Sequence, residues 1–229
     1  EVNWLKNEEE NVIGLVQQGQ LWSFDFGQNR LSLVYGFADG DDGRGTYDAH
    51  DFRILSVEDS GSMDFLVYGY MNRGRYEGMS GVLLCRYDAL LNTVEEQFFL
   101  PSDHPYQAVK EELGALAAEN ANGTAWLSYG GQILQINLAD CSVQVLEENV
   151  SQDDLKISGN GALAAWTAAE GTAISLLDVQ SGRIREIRAE SGEVLQALGF
   201  MEEDFIYGTA YASDIVTNLA GEETIPMYR

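Results

Sequence analysis

Short apolar runs alternate with polar positions along most of this chain, and turn-forming residues separate one run from the next. The clearest stretch is residues 155–187, LKISGNGALAAWTAAEGTAISLLDVQSGRIREI. Alternating runs of a few residues that are bounded by Gly-containing turns predict β-strands. The pattern returns about every 40 residues, which predicts a repeated unit of three or four strands.

We predict four such repeats and part of a fifth. The first has three strands and lacks an innermost one, and the fourth is the stretch above. The predicted strands of the others are 12–16, 21–26 and 31–37 in the first; 51–57, 64–70, 82–87 and 95–100 in the second; 113–119, 124–129, 133–138 and 143–146 in the third; and 194–200, 205–209 and 224–228 near the end. One short helix is predicted over 105–112, with Ser102 or Asp103 as its N-cap.

The turn Ser158-Gly159-Asn160-Gly161, followed by the apolar runs ALAAWT and AISLLDV, resembles the TolB-type, WD40-like propeller repeat. Asp178 and the Ser181-Gly182 turn fit that repeat, whereas Gly159 and Asn160 stand where it usually has Pro and Asp. The resemblance implies an all-β, β-propeller-like fold of about four to five antiparallel blades. The segment GYMNRGRYEG is also similar to segments of uncharacterised exported bacterial proteins, which implies an extracytoplasmic location and no particular activity.

No low-complexity tract or Pro-rich linker divides the sequence, so residues 1–229 are expected to form a single domain. The incomplete first and last repeats leave two alternatives. Either the two ends of the chain complete one mixed blade and close a five-bladed ring, or the chain is excised from a longer propeller protein. The start, which shows no leader segment and enters a strand almost at once, favours the second.

A formal net charge of -24 and a pI near 4.1 limit the classes of partner that this protein is expected to bind. Such a charge repels nucleic acids and anionic membrane surfaces. No apolar run approaches the roughly 20 residues that cross a bilayer, so direct membrane insertion is not expected. The partner classes that remain are a protein, a peptide or a glycan. Cys85 and Cys141 are too few for a disulfide framework, and we expect them not to be joined.

Three polar segments, 38–50, 71–81 and 101–112, are expected on one face. In a propeller, the link between blades and the link from the second to the third strand lie on the same face. The middle segment, 71–81, combines Arg and Tyr side chains. Arg binds carboxylates through its planar guanidinium and Tyr stacks on sugars or peptides, so this segment suits the recognition of a ligand. The alternative role for Arg73 and Arg75 is to stabilise the conformation of this segment. The candidate ligand-binding residues are Asn72, Arg73, Arg75, Tyr76, Glu77, His50 and His104.

No catalytic motif accompanies these residues. The His50-Asp51 pair has no evident nucleophile opposite, and Ser80 lacks the second glycine of a nucleophile elbow. We therefore expect a binding or interaction module without catalysis. The alternatives are a carbohydrate-active hydrolase that uses acids with Tyr or Arg on the same face, and a structural spacer.

One acidic, Gly-rich loop, DGDDGRG from residue 39, is a candidate calcium site. Its candidate ligands are Asp39, Asp41 and Asp48, because carboxylates that alternate with glycine can converge on one hard cation. The loop lacks the terminal Glu of an EF-hand and contains Arg44. A solvated turn is the alternative, and no other cofactor is expected.

Overall fold

The computed structural model describes residues 3–36, 50–217 and 223–226. Its contacts divide the chain into an N-terminal unit, Glu1–Ala117, and a C-terminal unit, Ala118–Arg229. Each is described by itself below, and the expectation of one continuous domain stays a prediction. No helix within the described ranges is long and apolar enough to cross a membrane.

The N-terminal unit contains two four-stranded antiparallel sheets and a helix. In each sheet the strands follow chain order, so every strand pairs with its neighbour in sequence. Sheet 1 consists of β1 (Trp4–Lys6), β2 (Val12–Gln17), β3 (Gln20–Asp25) and β4 (Arg30–Gly36). Sheet 2 consists of β5 (His50–Val57), β6 (Met63–Tyr70), β7 (Ser80–Asp88) and β8 (Thr93–Pro101), and α1 (Tyr106–Ala115) follows it.

The C-terminal unit repeats the same architecture. Sheet 3 consists of β9 (Ala117–Asn120), β10 (Thr124–Tyr129), β11 (Gln132–Asn137) and β12 (Ser142–Glu147). Sheet 4 consists of β13 (Leu155–Ile157), β14 (Leu163–Thr167), β15 (Ala173–Asp178) and β16 (Arg183–Arg188). The two-stranded sheet 5 contains β17 (Glu193–Met201) and β18 (Asp204–Tyr211), and β19 (Val216–Thr217) pairs with β20 (Glu223–Thr224). Single 3₁₀ turns lie at Ala169–Gly171 and Ala212–Asp214.

These sheets confirm the predicted fold class. Four consecutive four-stranded antiparallel meanders are the blades of a β-propeller-like, all-β fold. The repeat at residues 155–187, from which the prediction started, is one complete blade: sheet 4. The first two strands predicted for a fifth repeat are also present, as β17 and β18.

The prediction that the first repeat lacks an innermost strand is wrong. Strand β1 occupies that place and pairs with β2, with Trp4 opposite Leu15. It has only three residues, too few to show an alternating pattern in the sequence. Sheet 1 therefore has four strands, and the two alternatives for the ends of the chain stay predictions.

Smaller differences concern the helix and the last strand. The helix begins after Pro105, which is its N-cap, and no side chain caps it. The Ser102 hydroxyl instead accepts a hydrogen bond from the backbone N–H of His104, at 3.0 Å. Residues 113–115 belong to α1 and not to the strand predicted from 113. The final predicted strand is represented by β20, which is shorter.

Aromatic and aliphatic side chains from sheets 1 and 2 form the core of the N-terminal unit. The ring of Tyr35 on β4 meets those of Phe52 and Phe65 edge to face, with centroids 5.8 and 6.0 Å away. Edge-to-face contact between buried rings adds to the free energy gained from the buried area. Cys85 is fully buried in the same core, and burial raises the pKa of its thiol. As predicted, the two cysteines are not joined by a disulfide.

Two tryptophans hold equivalent places in the C-terminal unit. Trp126 on β10 and Trp166 on β14 each lie on the second strand of a sheet, and each is 1% exposed. The ring of Trp126 reaches the next sheet, since a Cβ placed on Gly182 in the β15–β16 turn would lie 3.4 Å from it. Trp126 thus packs between sheets 3 and 4.

Candidate functional site

The polar segments of the N-terminal unit lie at one end of sheet 2. His50 pairs with Gly69, Tyr70 pairs with Ser80, and Gly81 pairs with Pro101. The start of β5, the β6–β7 loop (residues 71–79) and the link from β8 to α1 therefore leave the sheet at the same end, as predicted. Residues 37–49 lie outside the described residues, and with them the candidate calcium ligands Asp39, Asp41 and Asp48.

The β6–β7 loop closes on itself through backbone hydrogen bonds. The N–H of Met71 donates to the carbonyl of Met79, and the N–H of Gly78 donates to the carbonyl of Met71, both at 2.8 Å. The side chain of Met71 is fully buried in the core between sheets 1 and 2. These contacts fix the base of the loop, and the remaining loop residues extend from that base.

Strand β8 holds the middle of the loop. The backbone N–H of Arg75 donates to Glu96 Oε2 at 2.9 Å. Gly74 has a φ of +83°, and a Cβ on it would lie 2.0 Å from Glu96 Oε1. The ring of Tyr76 stacks on Phe99, with centroids 4.4 Å apart and planes at 14°. Only glycine fits at this turn, because the backbone is left-handed there and the carboxylate approaches closely.

Arg73 ties the loop to sheet 1. Its Nη1 donates to the carbonyl of Gly36 at 2.5 Å, and its guanidinium carbon lies 5.0 Å from the centre of the Tyr35 ring. Burial raises the pKa of Tyr35 to about 12, and the positive charge of Arg73 acts in the opposite direction. The alternative role that the sequence left open, of holding the loop in shape, therefore has direct support at Arg73.

Arg75 is exposed and lies over an aromatic face. Its guanidinium carbon is 5.5 Å from the centre of the Tyr76 ring, which itself rests on Phe99. This layered arrangement limits the positions that the guanidinium adopts. Glu77 is also exposed, and Asn72 is half-buried at the start of the loop.

The two histidines lie at the same end of sheet 2 with different neighbours. His50 is half-buried at the start of β5, and its Nε2 lies 3.7 Å from where a Cβ on Gly19 would be. His104 is exposed, and its Nε2 lies 3.8 Å from the Asp103 carboxylate, which is fully exposed as well. An exposed contact of this length contributes little free energy.

The cluster that fixes α1 was not found from the sequence. Lys110 Nζ contacts Asp51 Oδ2 at 3.1 Å, and Tyr106 stacks on Tyr68 with centroids 6.0 Å apart. Burial, followed by the nearby Asp51 charge, raises the pKa of Tyr68. The hydrogen bond to Asp51 raises the pKa of Lys110. The spacing of Tyr106 and Lys110, one helical turn apart, was the available signal.

A separate cavity of about 510 Å³ lies in the C-terminal unit. Its walls are residues 202–204 at the β17–β18 turn together with Gly159 and Asn160 from the propeller-like motif. Asn160 Nδ2 donates to Glu203 Oε1 at 3.3 Å. Within the part of the chain that the structure describes, no group of three His, Cys, Asp or Glu side chains is placed to hold a metal ion.

Comparison with known proteins gives structural likeness alone. No protein-family model matches this sequence, and no curated protein matches it. TolB from Acinetobacter baumannii is 12% identical over 82% of this chain and 43% of its own, with a TM-score of 0.45. An oligogalacturonate lyase from Vibrio parahaemolyticus is 8% identical over 97% of this chain and 64% of its own, with a TM-score of 0.47. The WD40 domain of SCAP from fission yeast is 8% identical over 93% of this chain and 54% of its own, with a TM-score of 0.44.

TolB and WD40 propeller domains are thus among the solved structures similar to this chain, in agreement with the resemblance found in residues 158–182. The chain spans less than two thirds of the length of each of the three proteins. The blade topology described above carries the fold class.

Proposed function

We propose that this protein is a non-catalytic binding module, located outside the cytoplasm, and that its ligand contacts the loop end of sheet 2. The proposal rests on the β6–β7 loop, whose backbone hydrogen bonds fix its conformation and which holds Arg75 over the stacked rings of Tyr76 and Phe99. An exposed arginine in this position is notable because the whole chain has a net charge of -24. The location rests on the sequence resemblance to exported proteins.

The chemistry of the loop favours a ligand that bears a carboxylate, on a peptide or on a sugar acid. A guanidinium binds a carboxylate through two parallel N–H donors. Arg75 is held over Tyr76, so less side-chain entropy is lost when a ligand binds. Tyr76 and Phe99 supply apolar area next to the charge, which suits the remainder of such a ligand.

Two of the acids near this end of the sheet are engaged in structural contacts. Asp51 accepts a hydrogen bond from Lys110, and Glu96 accepts one from the backbone of Arg75. A glycosidase needs two carboxyl groups that face its substrate. The engagement of these two acids therefore supports binding over hydrolysis.

Side-chain NMR of arginine tests the proposal. Protein with ¹⁵N-labelled arginine is titrated with N-acetylglutamate and with glucuronate at constant ionic strength, and the Nε–H signals are followed. We expect a saturable shift at Arg75, which Arg75→Lys assigns. Arg188 is the control, since it is exposed and already bonded to Glu186. Equal, unsaturable shifts at Arg75 and Arg188 would contradict the proposal.

The hydrolase alternative has its own readout. Chromogenic glycosides and glucuronides are incubated with the native protein and with Glu77→Gln, a variant of the exposed acid in the loop. We expect no turnover by either protein. Turnover that the Glu77→Gln change removes would establish the hydrolase and refute a purely binding role.

A further inference from the structure

The outermost strands of the four-stranded sheets differ in whether they contain a β-bulge, which affects whether a strand from a partner can pair with them. Strands β4, β8 and β12 each contain a β-bulge, with one extra residue relative to the strand that they pair with. A bulge bends and twists an edge strand, which hinders the addition of a further strand. The extra residues, read from the register shifts, are Val34, Gln97 and Leu146.

Strand β16, the outermost strand of sheet 4, has no such protection. Its six residues pair with β15 from Ala173 opposite Arg188 to Asp178 opposite Arg183 without a shift in register. The N–H of Ala189 donates inward to the carbonyl of Thr172, at 2.9 Å. Because the direction of the polar groups alternates along an antiparallel strand, those of residues 184, 186 and 188 point outward from the sheet.

The charge of β16 is also exceptional. It contains three of the 13 basic residues of a chain that has 37 acidic ones. Arg188 is bonded to Glu186 through two hydrogen bonds, of 3.0 and 3.1 Å. Arg183 and Arg185 lie two residues apart, hence on one face of the strand, and both are exposed. Among the described residues, neither has a salt-bridge partner.

These charges disfavour the centred pairing of this edge with a second copy of itself. Residues directly opposite each other in an antiparallel pair both point toward the partner or both away from it, so the most nearly centred pairings of β16 with itself place Glu186 opposite Glu186 or Arg185 opposite Arg185. Like charges on directly opposite residues destabilise a strand pair. Charge therefore disfavours these centred self-pairings, and it does not act against a segment of opposite charge.

We propose that β16 binds an extended acidic segment of a partner polypeptide as an added strand of sheet 4. The backbone groups of residues 184, 186 and 188 pair with the backbone of that segment, and Arg183 and Arg185 bind carboxylates at alternate positions along it. A polypeptide fits better than another anionic polymer, because only a polypeptide offers N–H and C=O groups at the spacing of a strand. Strand β16 belongs to the C-terminal unit, and this proposal does not depend on the function proposed for the β6–β7 loop.

Two peptides test the charge. A fluorescent, end-blocked Glu-Val-Glu-Val-Glu-Val peptide and its Lys-Val counterpart are titrated with the protein, and anisotropy is recorded. We expect binding of the Glu peptide alone. Arg185→Glu should weaken that binding several-fold and the double variant Arg183→Glu/Arg185→Glu roughly tenfold, since two exposed charge pairs are lost and replaced by repulsion. Lys156→Glu, an equal change of charge on β13, should leave the affinity within twofold. Equal binding of both peptides would overturn the proposal.

One substitution tests the backbone. Ile184→Pro removes an outward N–H, which an edge strand tolerates, whereas Ile184→Val keeps it. We expect the proline variant to lose binding and the valine variant to retain it, with unchanged circular dichroism in both. A Glu peptide that is N-methylated on alternate residues gives the same information if the proline variant does not fold. Binding that survives proline and N-methylation, and that dextran sulfate displaces, would identify an anionic-polymer site and refute strand addition.

Discussion

Gly74 provides the sharpest test of how β8 fixes the candidate loop. Gly74→Ala introduces two costs. A side chain at a φ of +83° costs about 1 kcal/mol for a non-glycine residue. The new Cβ would also lie 2.0 Å from Glu96 Oε1, so the carboxylate must move away.

Moving Glu96 breaks its hydrogen bond with the backbone N–H of Arg75, which is 2.9 Å long. We assign about 1 kcal/mol to that bond, because it is charge-assisted and lies at the surface. The expected loss in the free energy of unfolding for Gly74→Ala is therefore about 2 kcal/mol.

The same loop contains a matched control. Gly78 has a φ of +87°, and a Cβ placed there meets nothing within 4 Å. Gly78→Ala should therefore cost only the backbone contribution, about 1 kcal/mol. Urea unfolding monitored by tryptophan fluorescence measures both values, and the difference between them isolates the clash with Glu96.

A third comparison shows whether the additional loss in Gly74→Ala comes from Glu96. In a Glu96→Ala background the carboxylate is absent, so Gly74→Ala should cost about 1 kcal/mol, as Gly78→Ala does. Hydrogen exchange at the amide of Arg75 should be faster in both Gly74→Ala and Glu96→Ala. Equal losses for Gly74→Ala and Gly78→Ala in the native background, or a Gly74→Ala loss that Glu96→Ala leaves unchanged, would refute the reasoning.

Three further results are expected. Burial raises the pKa of Asp64 in the folded state above its ordinary value of 3.8, and Arg86 opposes the shift, so the folded state binds this proton more tightly than the unfolded state does. The free energy of unfolding should therefore fall as pH rises from the ordinary pKa of Asp64 to its raised pKa in the folded state. Asp64→Asn should make the urea midpoint depend less on pH over that range. Cys85 should resist a thiol reagent in the native protein while Cys141 reacts, and native labelling of both by mass spectrometry would contradict the described burial. If residues 39–48 bind calcium, the thermal midpoint should be higher in calcium than in chelator, and equal midpoints would remove this site.

The strands were predictable wherever a run was long enough to alternate. Residues 155–187 show this best, because apolar runs of five or six residues and the Ser181-Gly182 turn specify both the strands and their order. Strand β1 could not be found in this way, since Trp4–Lys6 has three residues and owes its conformation to pairing with β2. Pairing is a property of two segments, and a local pattern shows only one of them.

The candidate loop illustrates the same limit at the level of side chains. The sequence indicated that Arg73, Arg75 and Tyr76 lie together, because they are neighbours in one polar segment. It did not indicate that Arg73 reaches the carbonyl of Gly36, 37 residues away, or that Glu96 lies under Gly74. These long-range contacts distinguish the two arginines: one is a structural support and the other is presented to solvent.

Whether an outermost strand is protected against pairing with a further strand is the property of this fold that is hardest to derive from sequence. A bulge exists only relative to a partner strand, so the extra residue in β8 is not visible in TVEEQFFLP until its pairing with β7 is known. The basic composition of RIREIR is visible at once, but its meaning depends on the absence of a bulge in the same strand. A charged edge that is also bulged would be protected twice. A charged edge that is straight, as β16 is, disfavours centred pairing with its own copy and remains open to a segment of the opposite charge.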